Sequence, residues 1–318
     1  MSKPTVFVLD PYHSEALKKL QASPSVEAVL RDDARISQWR SEADALMIRS
    51  ETRITAADLN EAKKLRVIVK QGVGVDNIDL EAAKERGVAV CNTPAMNSES
   101  VAELTIALAL CIARRIAELD RRVRSGEAVN RSHVLGMSLY KKTIGVVGMG
   151  NIGKIVAKKW KAAMDGDIIA YDPFASEHAW TEIEHRRVTD LNDLLRDSDV
   201  ISLHVPLTKG TKNMIRKPQF ELMKSSAILL NCARGGIVDE DALLNALSEK
   251  KIYGAALDAM ETEPPTTEAY RELLKNGNLI MTPHVGGNTV ENQIASGTKV
   301  VETVLAVLEG EEVSNRLI

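Results

Sequence analysis

The sequence predicts an α/β protein built from two doubly wound parallel-sheet domains. Three observations carry that expectation. Short apolar runs rich in Val, Ile and Leu alternate with amphipathic segments, the order that parallel strands covered by helices require. At 318 residues, the chain is long enough for two domains of ordinary size. The alternation is broken once, at Asn92-Thr-Pro94, and then resumes with a second set of strands.

In the first half, Val6–Leu9, Ala45–Ile48, Arg66–Val69 and Val88–Val90 read as buried parallel strands. Helical patches lie between them at Ser14–Gln21, Ala56–Lys63 and Leu80–Arg86. Ser100-x-x-Glu103 has the form of a capping box and opens a long helix expected to run to about Arg124. Its early part is apolar around most of its circumference. Such a helix must be covered, at a domain seam or by a second copy of the chain, and a homodimer is expected. Its charged end reads as a solvated face.

The second domain begins with the strand Thr143–Val147 and the helix Lys154–Met164. Further strands are expected at Ile168–Tyr171, Val200–Val205, Ala227–Asn231, Ala255–Leu257 and Leu279–Met281. Helices are expected at Leu191–Arg196, Glu240–Leu247 and Glu268–Leu274, with a last one over about Val290–Leu308. Two α/β units of unequal size imply a cleft between them.

The turn between the strand and helix that open the second domain is Gly148-Met-Gly150-Asn-Ile-Gly153. Gly148 permits a tight turn, Gly150 lets backbone approach a pyrophosphate, and Gly153 lets helix and strand pack closely. The helix N-terminus adds free N–H groups and the positive end of a dipole. A bare glycine pattern is also what an ordinary loop shows. Here the next strand ends in Asp172, about twenty positions on, where a carboxylate bonds an adenosine ribose diol and repels a 2′-phosphate. The expected cofactor is NAD rather than NADP.

Hydride chemistry at a carbonyl needs a proton donor, a cation for the substrate and a group that keeps the donor charged. In open α/β sheets such groups sit beyond the carboxyl ends of strands. Three strand ends carry them: Arg234 in a Gly235-Gly236 turn, Glu263 ahead of Pro264-Pro265, and His284 between Pro283 and Val285-Gly286-Gly287. Taken singly, the bland readings are a salt-bridge arginine, a solvated glutamate and a structural histidine. Their shared placement in one domain favours chemistry. His13, His133, His178 and His185 sit in polar contexts and read as surface residues, and His204 closes a strand where it lines the nucleotide cleft.

Composition excludes several classes. Lys and Arg number 41 against 44 Asp and Glu, a net charge of −3, and aromatics are 3% of the chain. Neither charge nor stacking surface favours nucleic acid, and no case exists for an acidic lipid surface. Cys91, Cys111 and Cys232 are scattered without C-x-x-C spacing, which predicts reduced thiols and no metal site. No leader or peroxisomal address is visible, and the run Leu104–Ala113 is too short to span a bilayer. A cytoplasmic protein is expected.

The strings Asn231-Cys-Ala-Arg-Gly-Gly-Ile-Val-Asp239, Glu261-Thr-Glu-Pro-Pro265 and Thr282-Pro-His-Val-Gly-Gly287 resemble those of the D-2-hydroxyacid dehydrogenases, nearest the phosphoglycerate dehydrogenase branch. So do Arg49-Ser50-x-Thr52, Gly72-Val-Gly-Val-Asp-Asn-Ile-Asp79, Asn92-Thr-Pro94 with Ser100-Val-Ala-Glu103, and His204-Val-Pro-Leu-Thr208. The resemblance covers nearly the whole chain.

It implies a flavodoxin-like substrate domain made of residues 1–97 and 289–318, and an inserted Rossmann NAD-binding domain, 98–288. It implies interconversion of a 2-ketoacid and a D-2-hydroxyacid. Arg234 would hold the ketoacid carboxylate, and Glu263 would keep the His284 imidazolium available as proton donor. Arg49, Ser50 and the Val73–Gly74 N–H groups would bind substrate. Gly148, Gly150, Asn151, Ile152, Gly153, Asp172, His204, Val205 and Pro206 would line the cofactor cleft. Cys232, Ala233, Arg234, Asp258, His284, Gly286 and Gly287 would complete it on the nicotinamide side.

There are departures from the family pattern. Lys70-Gln71 replaces the Gly-Arg-Ala lead-in usual in phosphoglycerate enzymes, which leaves phosphorylation of the substrate open. Glu263 argues against a formate-dehydrogenase-like enzyme, in which glutamine pairs with the histidine. The sequence offers no room for the regulatory domains of longer members. The rival expectation from another class is a nucleotide-sensing interaction protein, like the transcriptional corepressors that resemble the same family; those usually carry extra termini.

Overall fold

The computed structural model of the protein describes residues 3–318. It separates into two compact units. One takes the chain up to Asn97 together with Gly287–Ile318, and the other is the continuous stretch Ser98–Gly286. Gly287 and Asn288, read from sequence with the nucleotide domain, therefore group with the first unit.

The first unit runs β1 (Thr5–Val8), α1 (Ser14–Gln21), β2 (Glu27–Val29), α2 (Trp39–Glu42), β3 (Ala45–Ile48), α3 (Ala56–Glu61), β4 (Val67–Lys70), α4 (Leu80–Glu85) and β5 (Ala89–Cys91). The C-terminal helix Val290–Glu309 returns to this unit. All strand pairs are parallel, in the order β2-β1-β3-β4-β5, the flavodoxin-like arrangement. Alternate side chains go to opposite faces. Val6 and Val8 join a core with Val300, Val301 and Val304 of the C-terminal helix, whereas Phe7 joins one with Trp39 and Leu59.

The second unit runs α5 (Ser98–Ala113), α6 (Ile116–Arg124), β6 (Ile144–Val147), α7 (Asn151–Met164), β7 (Ile168–Tyr171), β8 (Arg186–Arg187), α8 (Leu191–Asp197), β9 (Val200–Leu203), α9 (Lys217–Leu222), β10 (Ile228–Asn231), α10 (Glu240–Ser248), β11 (Gly254–Leu257) and β12 (Leu279–Met281). Its seven parallel strands lie in the order β12-β11-β10-β9-β6-β7-β8. Counted from β6, this is the doubly wound dinucleotide-binding order with one strand added at the edge. The direction of winding reverses between β6 and β9, the position where ligands bind such sheets.

Three expectations need correction. The long helix is two helices: Arg115 adopts a left-handed conformation (φ 56°) and its N–H closes on the Ile112 carbonyl, so α5 ends and α6 starts afresh. The first of these begins at Ser98, which puts Ser100 inside it rather than at a cap. No α-helix forms over Glu268–Leu274; only a 3₁₀ turn, Leu273–Lys275, is present. Buried Tyr270 fastens that segment to the preceding loop, and this tertiary contact overrides helical propensity.

Candidate active site

The glycine-rich turn leaves β6 at the reversal of winding. Gly148 has φ +101°, and a Cβ there would fall 2.4 Å from the His204 carbonyl oxygen, so only glycine lets the turn lie against the end of β9. At Gly153 a Cβ would stand 2.2 Å from the Gly148 carbonyl oxygen. That glycine lets α7 close on the turn. Gly150 is the N-cap of α7 and offers no side chain to the first-turn N–H groups, those of Asn151, Ile152 and Gly153. Donors without a cap, at the positive end of a fourteen-residue helix, suit a pyrophosphate.

Asp172 follows β7. One of its carboxylate oxygens accepts the Met149 N–H and the other the Phe174 N–H, each at 2.9 Å. The residue expected to meet the ribose is thereby tied to the phosphate turn. His204 is half-buried beyond β9, with Nε2 2.7 Å from Ser202 Oγ and Nδ1 without a hydrogen-bond partner among the described residues. Burial lowers its pKa to about 3, so the imidazole is neutral. The Val205 side chain reaches the position a Gly148 Cβ would take, and the Pro206 carbonyl accepts Thr211 Oγ1–H at 2.6 Å.

The ends of β10, β11 and β12 hold the remaining groups of this unit. After β10, Cys232 is buried and its thiol is pushed up to about 12 by burial. The Ala233 N–H donates to Asn231 Oδ1 at 3.2 Å, and Arg234 Nη1 donates to the Ala233 carbonyl at 2.8 Å. After β11, the buried Asp258 carboxylate accepts from Thr282 Oγ1 at 2.6 Å and from the Val285 and Gly286 N–H groups at 2.8 Å each. Asp258 thus fixes the loop that carries His284.

His284 itself has a left-handed backbone (φ 55°), uncommon for a residue with a Cβ. Its Nδ1 lies 2.9 and 3.1 Å from the two Glu263 carboxylate oxygens. Partial burial pushes the Glu263 carboxyl up. The hydrogen bond and charge of His284, the Met260 N–H and Arg234 outweigh it, and the group sits below its ordinary value.

In the other unit, Arg49 donates from Nη1 to the Pro11 carbonyl at 3.1 Å and from Nη2 to Asn288 Oδ1 at 3.2 Å. Ser50 beside it is exposed. The Val73 carbonyl accepts Asn92 Nδ2–H at 2.7 Å, and the Gly74 carbonyl accepts from Lys70 Nζ. Among the described residues neither the Val73 nor the Gly74 N–H has a protein acceptor.

Several supports went unseen in the sequence. The buried Asp10 carboxylate accepts the Arg49 N–H, the Thr52 hydroxyl and, at 3.3 Å, the Thr52 N–H, so it shapes the turn under Arg49. The Gln71 amide donates to Gln293 Oε1 at 3.0 Å and to Ser296 Oγ at 2.7 Å, and Gln293 Nε2 donates to Asn288 Oδ1 at 3.1 Å. The unusual Lys70-Gln71 pair is therefore spent on the loop itself and on the C-terminal helix. No spacing rule signals contacts between residues some 220 positions apart.

Among the described residues, no group of His, Cys, Asp and Glu suits a metal ion, and no helix is long and apolar enough to cross a membrane. A profile of the family described as D-isomer specific 2-hydroxyacid dehydrogenase, NAD binding domain, matches residues 106–286. The D-3-phosphoglycerate dehydrogenase of Methanocaldococcus jannaschii is 44% identical over 311 residues, covering 98% of this chain and 58% of that protein. The chain thus spans less than two thirds of that relative's length. The hydroxypyruvate reductase of Thermotoga maritima is 39% identical over 310 residues, 97% of this chain and 99% of that one. The crystal structure of the TT0316 protein from Thermus thermophilus superimposes with a TM-score of 0.89 at 35% identity, covering 99% of this chain and 100% of that one. The chain belongs to the D-isomer specific 2-hydroxyacid dehydrogenases, and its residues 106–286 match the NAD-binding domain of that family.

Proposed function

We propose that the protein interconverts a small 2-ketoacid and the corresponding D-2-hydroxyacid with NAD. The observation that carries the reading is the Glu263–His284 hydrogen bond at 2.9 Å, in the same unit as Arg234 and the glycine-rich turn. We assign NAD binding to Ser98–Gly286, with the pyrophosphate at Gly148–Gly153, the adenosine ribose at Asp172, and the nicotinamide side at Cys232–Arg234 and Asp258. Substrate binding is assigned to Arg234 and His284 in this unit, and to Arg49, Ser50, Val73 and Gly74 in the first.

When bound, NAD supplies the acceptor for the hydride, and its reduced form supplies the donor. The planar fork of Arg234 holds the substrate carboxylate and polarises the neighbouring carbonyl. Arg49, Ser50 and the Val73–Gly74 N–H groups add donors for the same anionic substrate. With Nδ1 of His284 committed to Glu263, Nε2 is the nitrogen left to exchange a proton with the substrate oxygen. In reduction, the imidazolium donates to the carbonyl oxygen; in oxidation, the neutral ring takes the hydroxyl proton. Glu263 fixes the ring plane and keeps a carboxylate beside Nδ1.

The relatives named phosphoglycerate dehydrogenase and hydroxypyruvate reductase support acids of this size. A screen of NADH oxidation over glyoxylate, pyruvate, hydroxypyruvate, phosphohydroxypyruvate and branched 2-ketoacids tests the reading. Turnover of at least one is expected; NADH binding without turnover of any would refute it.

The reading includes a homodimer in the cytoplasm. Ile106, Ala107 and Leu110 of α5 line a shallow groove of about 510 Å³ with Ala162 and Ala163 of α7, an apolar surface suited to a second copy. Three free cysteines accord with a reducing compartment. Light scattering at micromolar concentration should give twice the chain mass; a monomer would overturn the dimer.

A further inference from the structure

The carboxylate that serves His284 stands on Glu261–Glu263, a segment without regular secondary structure. Its backbone is nevertheless held on three sides. Glu240, the first residue of α10, accepts the Glu261 N–H on Oε1 at 2.8 Å. The Tyr270 hydroxyl accepts the Thr262 N–H at 2.8 Å and lies 3.3 Å from the Thr262 carbonyl, with the Glu240 carboxylate as its other hydrogen-bond neighbour. On the remaining side, a Cβ at Gly235 would fall 1.9 Å from the Met260 carbonyl oxygen and 2.7 Å from the Glu261 nitrogen. The Arg234 turn therefore rests directly on this loop. The Tyr270 ring is buried in the core with Leu243 and Leu273, so its hydroxyl is anchored by packing rather than left to solvent.

We propose that Glu240 and Tyr270 are positioning residues that fix the Glu261–Glu263 backbone and, through Glu263, hold His284 in the orientation proton transfer needs. This rests on the dehydrogenase reading given above. Both residues bond the Glu261–Thr262 backbone. Arg234 on the β10 turn is the further charge felt by Glu263, Asp241 on α10 and Glu261 in the loop are the charges felt by Glu240, and Asp258 after β11 holds the Val285 N–H next to His284. Of these, Glu240 bonds the loop backbone directly, while Asp258 secures the opposite side of His284 through Val285 and Gly286.

The test is a set of substitutions in the full chain. Tyr270→Phe keeps the buried ring and deletes the hydroxyl. Glu240→Ala removes the acceptor for the Glu261 N–H, whereas Glu240→Gln keeps an oxygen there. Tyr270→Phe and Glu240→Ala should lower kcat for ketoacid reduction by about threefold to tenfold, the weight of one hydrogen bond, and move the falling limb of its pH profile to lower pH. KM for the ketoacid should stay within about twofold. Glu240→Gln should keep the wild-type profile, and Tyr270→Phe should add no shift in a Glu263→Gln background.

NMR titration of the His284 ring in the same variants reads the shift without turnover, so it stands even if no ketoacid proves to be a substrate. A Tyr270→Phe protein that melts earlier but leaves both the pH profile and the His284 titration unmoved would overturn the proposal. So would an equal shift in the Glu263→Gln background. If Tyr270→Phe fails to fold, the contrast between Glu240→Ala and Glu240→Gln decides the matter, and identical profiles for those two would overturn it.

Discussion

Glu263 Oε1 serves two donors at once, His284 Nδ1 and the Met260 N–H, both at 3.1 Å. The carboxylate is thus oriented by its own loop before it orients the histidine. His284 in turn lowers the Glu263 pKa, so the two side chains are electrostatically coupled. Glu263→Gln keeps the shape and removes the charge. Reduction needs the protonated ring, so its activity should fade at lower pH than in wild type. An unmoved pH–rate profile in that direction would show that the pair is not coupled.

Stability has a matching sign. The Glu263 carboxyl has a depressed folded-state pKa, so its contribution is present above the ordinary carboxylate value and is lost as pH falls through the lower, folded-state one. The Tm difference between wild type and Glu263→Gln should shrink on acidification through that window. Differential scanning calorimetry over the acid range checks this, and a difference that grows there would contradict it.

His284→Ala and Arg234→Ala should fail in different ways. Loss of the proton donor should cost about 10²–10⁴-fold, mainly in kcat. Loss of the guanidinium should raise KM for the ketoacid as well as lower kcat, since it binds both ground and transition states. Arg234→Lys should restore little, because an ammonium lacks the planar fork. Steady-state kinetics on the best ketoacid separate these patterns.

Cofactor choice should follow Asp172. A 2′-phosphate would bring like charge against its carboxylate, so kcat/KM with NADH should exceed that with NADPH. Asp172→Ser should narrow the gap. It should also weaken NADH binding, because Asp172 accepts the Met149 N–H of the phosphate turn. Equal use of both cofactors by wild type would sink the assignment.

Gly148→Ala probes the turn itself. With φ +101° and the His204 carbonyl oxygen 2.4 Å from the new Cβ, the substitution is both strained and crowded. A loss of about 1–3 kcal/mol in unfolding free energy is expected, with weakened NADH binding by calorimetry. A wild-type denaturation midpoint would mean that the turn yields more easily than its geometry implies.

Both sheets were legible in the sequence because their strands are buried on two sides. Runs such as Ala45–Ile48 and Val67–Lys70 are apolar or nearly so throughout, which is what a helix-covered parallel sheet demands. Edge elements lacked that signal: Glu27–Val29 is half exposed, and Arg186–Arg187 has no apolar side chain. The break at Arg115 depends on one left-handed residue that no periodicity marks. In the site, Arg234, Glu263 and His284 stood out because each follows the carboxyl end of a strand. Asp10, Glu240 and Tyr270 did not, because their significance lies in partners chosen by the fold.

The division of the chain also has a consequence for biosynthesis. Ser98–Gly286 is continuous, so all of its residues have been synthesised before the C-terminal helix is translated. The five-stranded sheet must wait. One of its apolar faces, including Val6, Val8, Met47 and Val69, is covered by Val300, Val301 and Val304 from the last helix. The strands translated first are therefore the last to be sealed. Until that helix leaves the ribosome, this face lacks its native cover and is the kind of exposed apolar surface that favours aggregation.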